Sequence, residues 1–180
     1  MRGVILYGPP ASGKDTVTTA LHQLDSRYRQ FQRLKAGPGR TVGYRMATED
    51  EVAGLHASGL VVWENRRYGA VYVVDAPGLR QQLEQAVPVV HLGQLDAIDA
   101  VQRAFPDVRW TVVALTCPRD VAVQRIIQRQ TGDTLERLRA WDETEPAATA
   151  EITIDTSRTA PAEAASLIDQ AARDGKTATV

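Results

Sequence analysis

The sequence predicts an α/β protein: a parallel core sheet of five strands flanked by helices, with a small inserted lobe and an arginine-rich lid. Three observations predict it. Apolar runs of strand length alternate with helix-length segments along most of the chain. The first strand and helix are joined by a glycine loop, Gly8-Pro9-Pro10-Ala11-Ser12-Gly13-Lys14-Asp15-Thr16, set between Val4-Ile5-Leu6-Tyr7 and Val17-Thr18-Thr19-Ala20-Leu21. The stretch from about 36 to 75 differs in texture, with short strands that mix polar and aromatic residues. It reads as an insertion at the carboxyl edge of the sheet, where ligands bind in such folds.

The spacing from Gly8 to Gly13-Lys14 is that of a phosphate-binding P-loop. Gly8 and Gly13 let the backbone turn with its N–H groups inward, so Gly8, Ala11, Ser12 and Gly13 form a cradle of donors. The helix that follows aims its positive dipole end at the same point. Lys14 adds a mobile charge that reaches the terminal phosphates of a nucleotide. A lysine at a helix N-terminus is unfavourable unless an anion joins it. The pattern has Ser or Thr after the lysine as a Mg²⁺ ligand, whereas this chain has Asp15, with Thr16 one place later. Both are therefore candidate metal contacts, Asp15 directly or through water.

The elements follow in order. The first strand spans 2–7 and the P-loop helix about 14–24. Residues 31–35 alternate like a strand, and Ala36-Gly37-Pro38-Gly39-Arg40 is a loop. Thr48 with Glu51 forms a capping box for a short helix. A strand over 60–64 precedes Asn65-Arg66-Arg67-Tyr68-Gly69. Asp75 caps a helix from about 77 to 85, and the Val73–Gly78 stretch reads as the linker from lobe to core. Buried-type strands at 88–92 and 110–115 each precede a helix, about 97–105 and 118–130. Thr131-Gly132-Asp133 breaks the chain before an Arg-containing helix at 134–141. A last strand at 151–155, a closing helix at 160–173 and a frayed tail from Asp174 complete it.

With 180 residues and 43% hydrophobic content, the chain is expected to form a single domain with a real core. A formal charge of −1 gives no global attraction to nucleic acid or anionic membrane. Lysine is confined to Lys14, Lys35 and Lys176, which makes Lys14 stand out. The lone Cys117 permits no internal disulfide and reads as a core or strand-end thiol. The expectation is a cytoplasmic protein, monomeric or homodimeric, without nucleic-acid or membrane partners.

These features resemble the guanylate kinase family of nucleoside monophosphate kinases. The resemblance rests on the P-loop, on Tyr44 followed by a capped helix, on Leu60 to Trp63, on Tyr68-Gly69, and on an Arg-rich helix pair after the fourth core strand. It implies one P-loop kinase domain: core 1–35 and 76–180, acceptor-binding lobe about 36–75, lid about 129–142. It further implies ATP as phosphate donor, Mg²⁺, and a small-molecule phosphate acceptor. Arg33, Lys35, Arg40, Tyr44 and Tyr68 then fall near the acceptor. Arg125, Arg129 and Arg137 match the arginines that close over ATP, with Arg125 also a nucleotide contact. Lys14 and these arginines are the expected catalytic set, because phosphoryl transfer depends on positioning and charge neutralisation. Adenine is expected near 155–158.

Three departures qualify the resemblance. The acceptor loop lacks the family's paired arginines and reads Arg33-Leu34-Lys35-Ala36-Gly37-Pro38-Gly39-Arg40. The guanine-reading glutamate that precedes the family's tryptophan is Val62 here, and Glu64 follows Trp63, where it could still read a base. The third core strand ends His91-Leu92-Gly93-Gln94, without the usual carboxylates; His91 and Gln94 point into the cleft on fold grounds. The Gly-Lys-Asp-Thr loop also resembles ribose 1,5-bisphosphate phosphokinases, whose acceptor has no base. A guanylate-kinase-like module that binds partners without catalysis is the third alternative.

Overall fold

The computed structural model describes residues 1–67, 69–130 and 132–174. Strand β1 (Arg2–Tyr7) runs into the glycine loop and α1 (Lys14–Leu24). It lies at the centre of a five-stranded sheet with β2 (Tyr28–Gln30), β7 (Val87–Leu92), β8 (Arg109–Thr116) and β9 (Ile152–Asp155), in the order β2-β7-β1-β8-β9. Every pairing in this sheet is parallel. Tyr7 stands beside both Leu92 and Ala114, so β1 and β7 end level, β8 runs two residues further, and one cleft opens at their carboxyl edge.

Burial on both faces explains the unbroken apolar strands. Val4 and Leu6 face Leu21 of α1 and Ile168 of α7 (Pro161–Asp174). Ile5 and Tyr7 face the opposite core with Leu79 and Leu83 of α3 (Ala76–Gln85) and Ile98 and Val101 of α4 (Leu95–Ala104). Val4, Ile5 and Leu6 have no exposed surface, and each such side chain contributes about 1.5–3 kcal/mol by leaving water. The remaining helices of the core, α5 (Arg119–Gln128) and α6 (Thr134–Asp142), follow β8.

A second sheet, β4-β3-β6-β5, is built from β3 (Leu34–Ala36), β4 (Arg45–Met46), β5 (Val61–Arg67) and β6 (Ala70–Asp75). With α2 (Glu49–Ala57) it encloses its own small core of Ala36, Val52, Val71 and Val73. The Thr48–Glu51 capping box is present in full at the start of α2. Asp75 caps α3 by accepting from the Gly78 amide at 2.8 Å. It also pairs with Arg45, whose guanidinium donates to the Gln32 carbonyl and lies over the Phe31 ring, so one arginine fastens the junction of lobe and core.

Two elements differ from the sequence reading. The single strand expected over 31–35 is divided between the sheets. Tyr28 is fully buried and bonds Asp169 through its hydroxyl, which draws residues 28–30 to the core edge, and Phe31 is buried in the core. Residues 32 and 33 then cross to the lobe. The stretch read as a linker before Asp75 is instead β6, antiparallel to β5 and carrying Val71 and Val73 into the lobe core. The expected tail at 175–180 lies outside the described residues.

Candidate active site

The glycine loop has the geometry that its spacing requires. Gly8, Ala11 and Gly13 all have positive φ, at +154°, +63° and +94°. A Cβ at Gly8 would sit 2.3 Å from the Leu115 carbonyl, so no larger residue fits without displacing backbone. Gly13 is the N-cap of α1, and no side chain caps that helix, which leaves its leading amides for an anion. Lys14 folds back over its own loop, donating to the carbonyls of Gly8 at 2.6 Å and Pro9 at 2.8 Å. Burial lowers its pKa to about 7, opposed by Asp15 and reinforced by Arg33 and Arg129.

Asp15 is half exposed on the first turn of α1 and faces the cleft. Its carboxylate lies 3.5 Å from His91 Nδ1 and 3.8 Å from Arg40 Nη1. The other ring nitrogen of His91 meets Thr18 Oγ1 at 2.7 Å. Burial, with Lys14 adding to it, holds His91 below its ordinary pKa and neutral. The Gln30 amide nitrogen also lies 3.5 Å from His91 Nδ1, so the ring stands between Thr18 on one side and Asp15 and Gln30 on the other. Thr16 points to solvent and does not line the cleft. Among the described residues no group of three or more His, Cys, Asp or Glu side chains could hold a metal ion.

The cleft encloses about 670 Å³ between the loop and the lobe. Lys14, Arg33, Arg40, Arg67, Arg129 and Arg137 line it, against the carboxylates of Asp15, Asp133 and Glu136. Tyr44 and Tyr72 pack with ring centroids 5.3 Å apart, and the Arg33 guanidinium lies over both rings. Gln94 lines the cleft as the first residue before α4. Arg137, on α6, donates to Asp133 at 2.6 Å.

Three residues expected here are placed elsewhere. Lys35 is buried, and its ammonium donates to the carbonyls of Pro38 and Arg40 rather than entering the cleft. Glu64 turns to the outer face of the lobe, where His56 and Arg66 bind it at 2.6 and 2.8 Å. Arg125 spans from α5 to the glycine loop instead of the open cleft, donating to the Ala11 carbonyl and to both oxygens of Thr156. Tyr68 lies outside the described residues. Asn65 and Arg67 line the cleft in place of Glu64. The alternation of a strand carries that signal: residues two apart share a face, so Asn65 and Arg67 share one and Glu64 and Arg66 the other. Tyr72 also lines the cleft, and it follows from β6, which the sequence reading missed.

This strand order, with the P-loop after the central strand and a lobe inserted between the core strands, defines a guanylate kinase-like P-loop kinase fold. The solved structures similar to this chain include guanylate kinase from Anaplasma phagocytophilum, at a TM-score of 0.61 and 12% identity, covering 99% of this chain and 87% of that one. A second is the protein APE1195, at a TM-score of 0.55 and 15% identity over 94% of this chain and 93% of that one. No protein-family model and no curated protein sequence matches the chain. Among the described residues no helix is long and apolar enough to cross a membrane.

Proposed function

We propose that this chain is an ATP-dependent phosphotransferase that moves the γ-phosphoryl group of ATP to the phosphate of a small acceptor, a nucleoside monophosphate. One observation carries the reading. A P-loop with Lys14 faces a second cationic cluster, Arg33, Arg40 and Arg67, across one cleft, so two phosphate-binding poles look at each other. The amides of the loop and Lys14 hold the β- and γ-phosphates. Arg33 and Arg40 hold the acceptor phosphate by their forked donors. An acceptor oxygen attacks the γ-phosphorus in line, the bond from that phosphorus to the β-bridging oxygen breaks, and ADP leaves. The acceptor phosphate is already ionised near neutral pH, so positioning and charge neutralisation supply the catalysis without a general base. Arg129 and Arg137 neutralise charge on the transferring group from the side of α6.

Mg²⁺ is bound in such sites by one or two carboxylates together with substrate phosphates, and Asp15 beside Lys14 fits that requirement. The ion would add charge neutralisation between the phosphates. His91 would stand beside the Asp15 carboxylate, itself backed by Thr18. A sugar phosphate is the second reading of the acceptor. It is favoured by Glu64, whose carboxylate is engaged by His56 and Arg66 on the far face and is turned away from a base in the cleft.

The test is a panel: purified protein, ATP and Mg²⁺, with each nucleoside monophosphate and with ribose 1,5-bisphosphate, following ADP release. Release with one monophosphate supports the first reading and release with the sugar phosphate the second. ATP hydrolysis unaffected by every acceptor overturns the phosphotransferase reading.

A further inference from the structure

Lys35 presents a physical problem. Its side chain is 1% exposed, and burying an ammonium is costly unless its donors are satisfied. A methionine or leucine would fill the same space without that cost. The ammonium meets carbonyls rather than a carboxylate, at 2.5 Å from Pro38 and 2.9 Å from Arg40. The rings of Tyr44 and Tyr72 complete its surroundings at 5.8 and 5.7 Å.

Both carbonyls belong to the turn Gly37-Pro38-Gly39-Arg40. Gly37 and Gly39 have φ of +115° and +91°, a conformation open to glycine but not fixed by it. Such a turn needs an outside constraint, and the buried ammonium supplies one. The turn delivers Arg40, whose guanidinium crosses toward the P-loop and comes within 3.8 Å of Asp15.

We propose that Lys35 is a positioning residue: it holds the Gly37–Arg40 turn from beneath, and so aims the Arg40 guanidinium at the acceptor phosphate without touching substrate itself. This rests on the phosphotransferase reading for its consequence in catalysis, but not for its structural content. The lysine is the fixed part and Arg40 the working part, so their effects belong to one chain of action.

The test uses Lys35→Met and, because a core substitution can compromise folding, Gly39→Ala, which strains the same turn from its exposed side and sets a methyl 3.5 Å from the Lys35 ammonium. The first readout is the heteronuclear NOE of the Gly39, Arg40 and Thr41 amides in the ligand-free protein. The second is the split between acceptor KM and ATP KM, with whichever nucleoside monophosphate, or ribose 1,5-bisphosphate, the wild type consumes. The expected result is loss of rigidity in the turn in both variants and an acceptor KM raised about tenfold or more, with the ATP KM within about twofold. Lys35→Met combined with Arg40→Ala should behave like Arg40→Ala alone. An unchanged NOE, an unchanged acceptor KM, or additive effects in the double variant overturn the proposal. If the wild type consumes no nucleoside monophosphate and no ribose 1,5-bisphosphate, the functional reading fails, and the NOE still decides whether Lys35 holds the turn.

Discussion

Lys14 spends the ligand-free state bonded to its own loop carbonyls, and its burial lowers its pKa from 10.5 to about 7. Between those values the unfolded chain binds the proton and the folded one does not, so this residue's contribution to stability improves as pH rises through that window. Nucleotide phosphates reverse the balance by favouring the charged form. Above pH 7 most of the free protein therefore carries a neutral Lys14, and ATP binding should take up protons. Calorimetry in buffers of different ionisation enthalpy measures this directly, and an uptake near zero contradicts it. Asp15→Asn removes the carboxylate while keeping its size. The Mg²⁺ concentration for half-maximal nucleotide binding should rise about tenfold, and an unchanged value removes Asp15 from the metal site. Glu64→Gln should leave the acceptor KM within about twofold, since its partners lie outside the cleft. A large rise in KM would put that side chain back among the acceptor contacts. What was legible at this scale followed from backbone: the glycine loop needs particular φ values at fixed positions, and only certain residues supply them. The direction of Lys35 and Glu64 depends on strand register, which the sequence encodes weakly in short strands of mixed polarity.

The elements divide the same way. Helices α1, α2 and α3 were legible because each start carries its own signal, a glycine loop, a capping box or an aspartate cap. Strands β1, β7 and β8 were legible as long apolar runs. Strand β2 was not, since three residues hold no periodicity and only the tertiary burial of Tyr28 defines it. At this scale Arg125 binds three elements together: α5, the glycine loop at Ala11, and the turn after β9 at Thr156. Thr156 in turn donates to the Ser12 carbonyl at 3.0 Å and lies 3.3 Å from where a Gly13 Cβ would stand. Arg125→Ala removes a charged donor to three acceptors and should cost roughly 2 kcal/mol of stability together with a drop of about tenfold in ATP affinity. Arg125→Lys should recover little, because an ammonium cannot fork between loop and turn. Thermal melts and nucleotide titration check both. Unchanged ATP affinity in Arg125→Ala would separate this arginine from the loop's function.

Across the whole molecule, the two cationic poles stand on different bodies. The P-loop belongs to the five-stranded sheet, while Arg33, Arg40 and Arg67 lead into or belong to the smaller sheet and its loops. The cleft between them is large for the reacting atoms of a direct transfer, which must approach to about 3–3.5 Å. The proposed transfer also requires that water be excluded, since ATP in an open cleft would hydrolyse. The lining arginines are only partly offset by Asp15, Asp133 and Glu136, so bound phosphates would attract them from both sides. On the proposed function, closure would be driven by the substrates themselves. The junction at Arg45, Asp75 and Phe31 forms a compact fastening about which the lobe can swing, while α6 approaches from the opposite rim. Val42 on the acceptor loop and Leu135 on α6 are 73% and 81% exposed, so both accept spin labels without disturbing a core. The distance between labels there should shorten when a non-hydrolysable ATP analogue, Mg²⁺ and the acceptor are present together, and shorten less with either nucleotide or acceptor alone. Identical distance distributions in the free and doubly liganded states would mean that the cleft works as it stands, and that water must be excluded by the ligands alone.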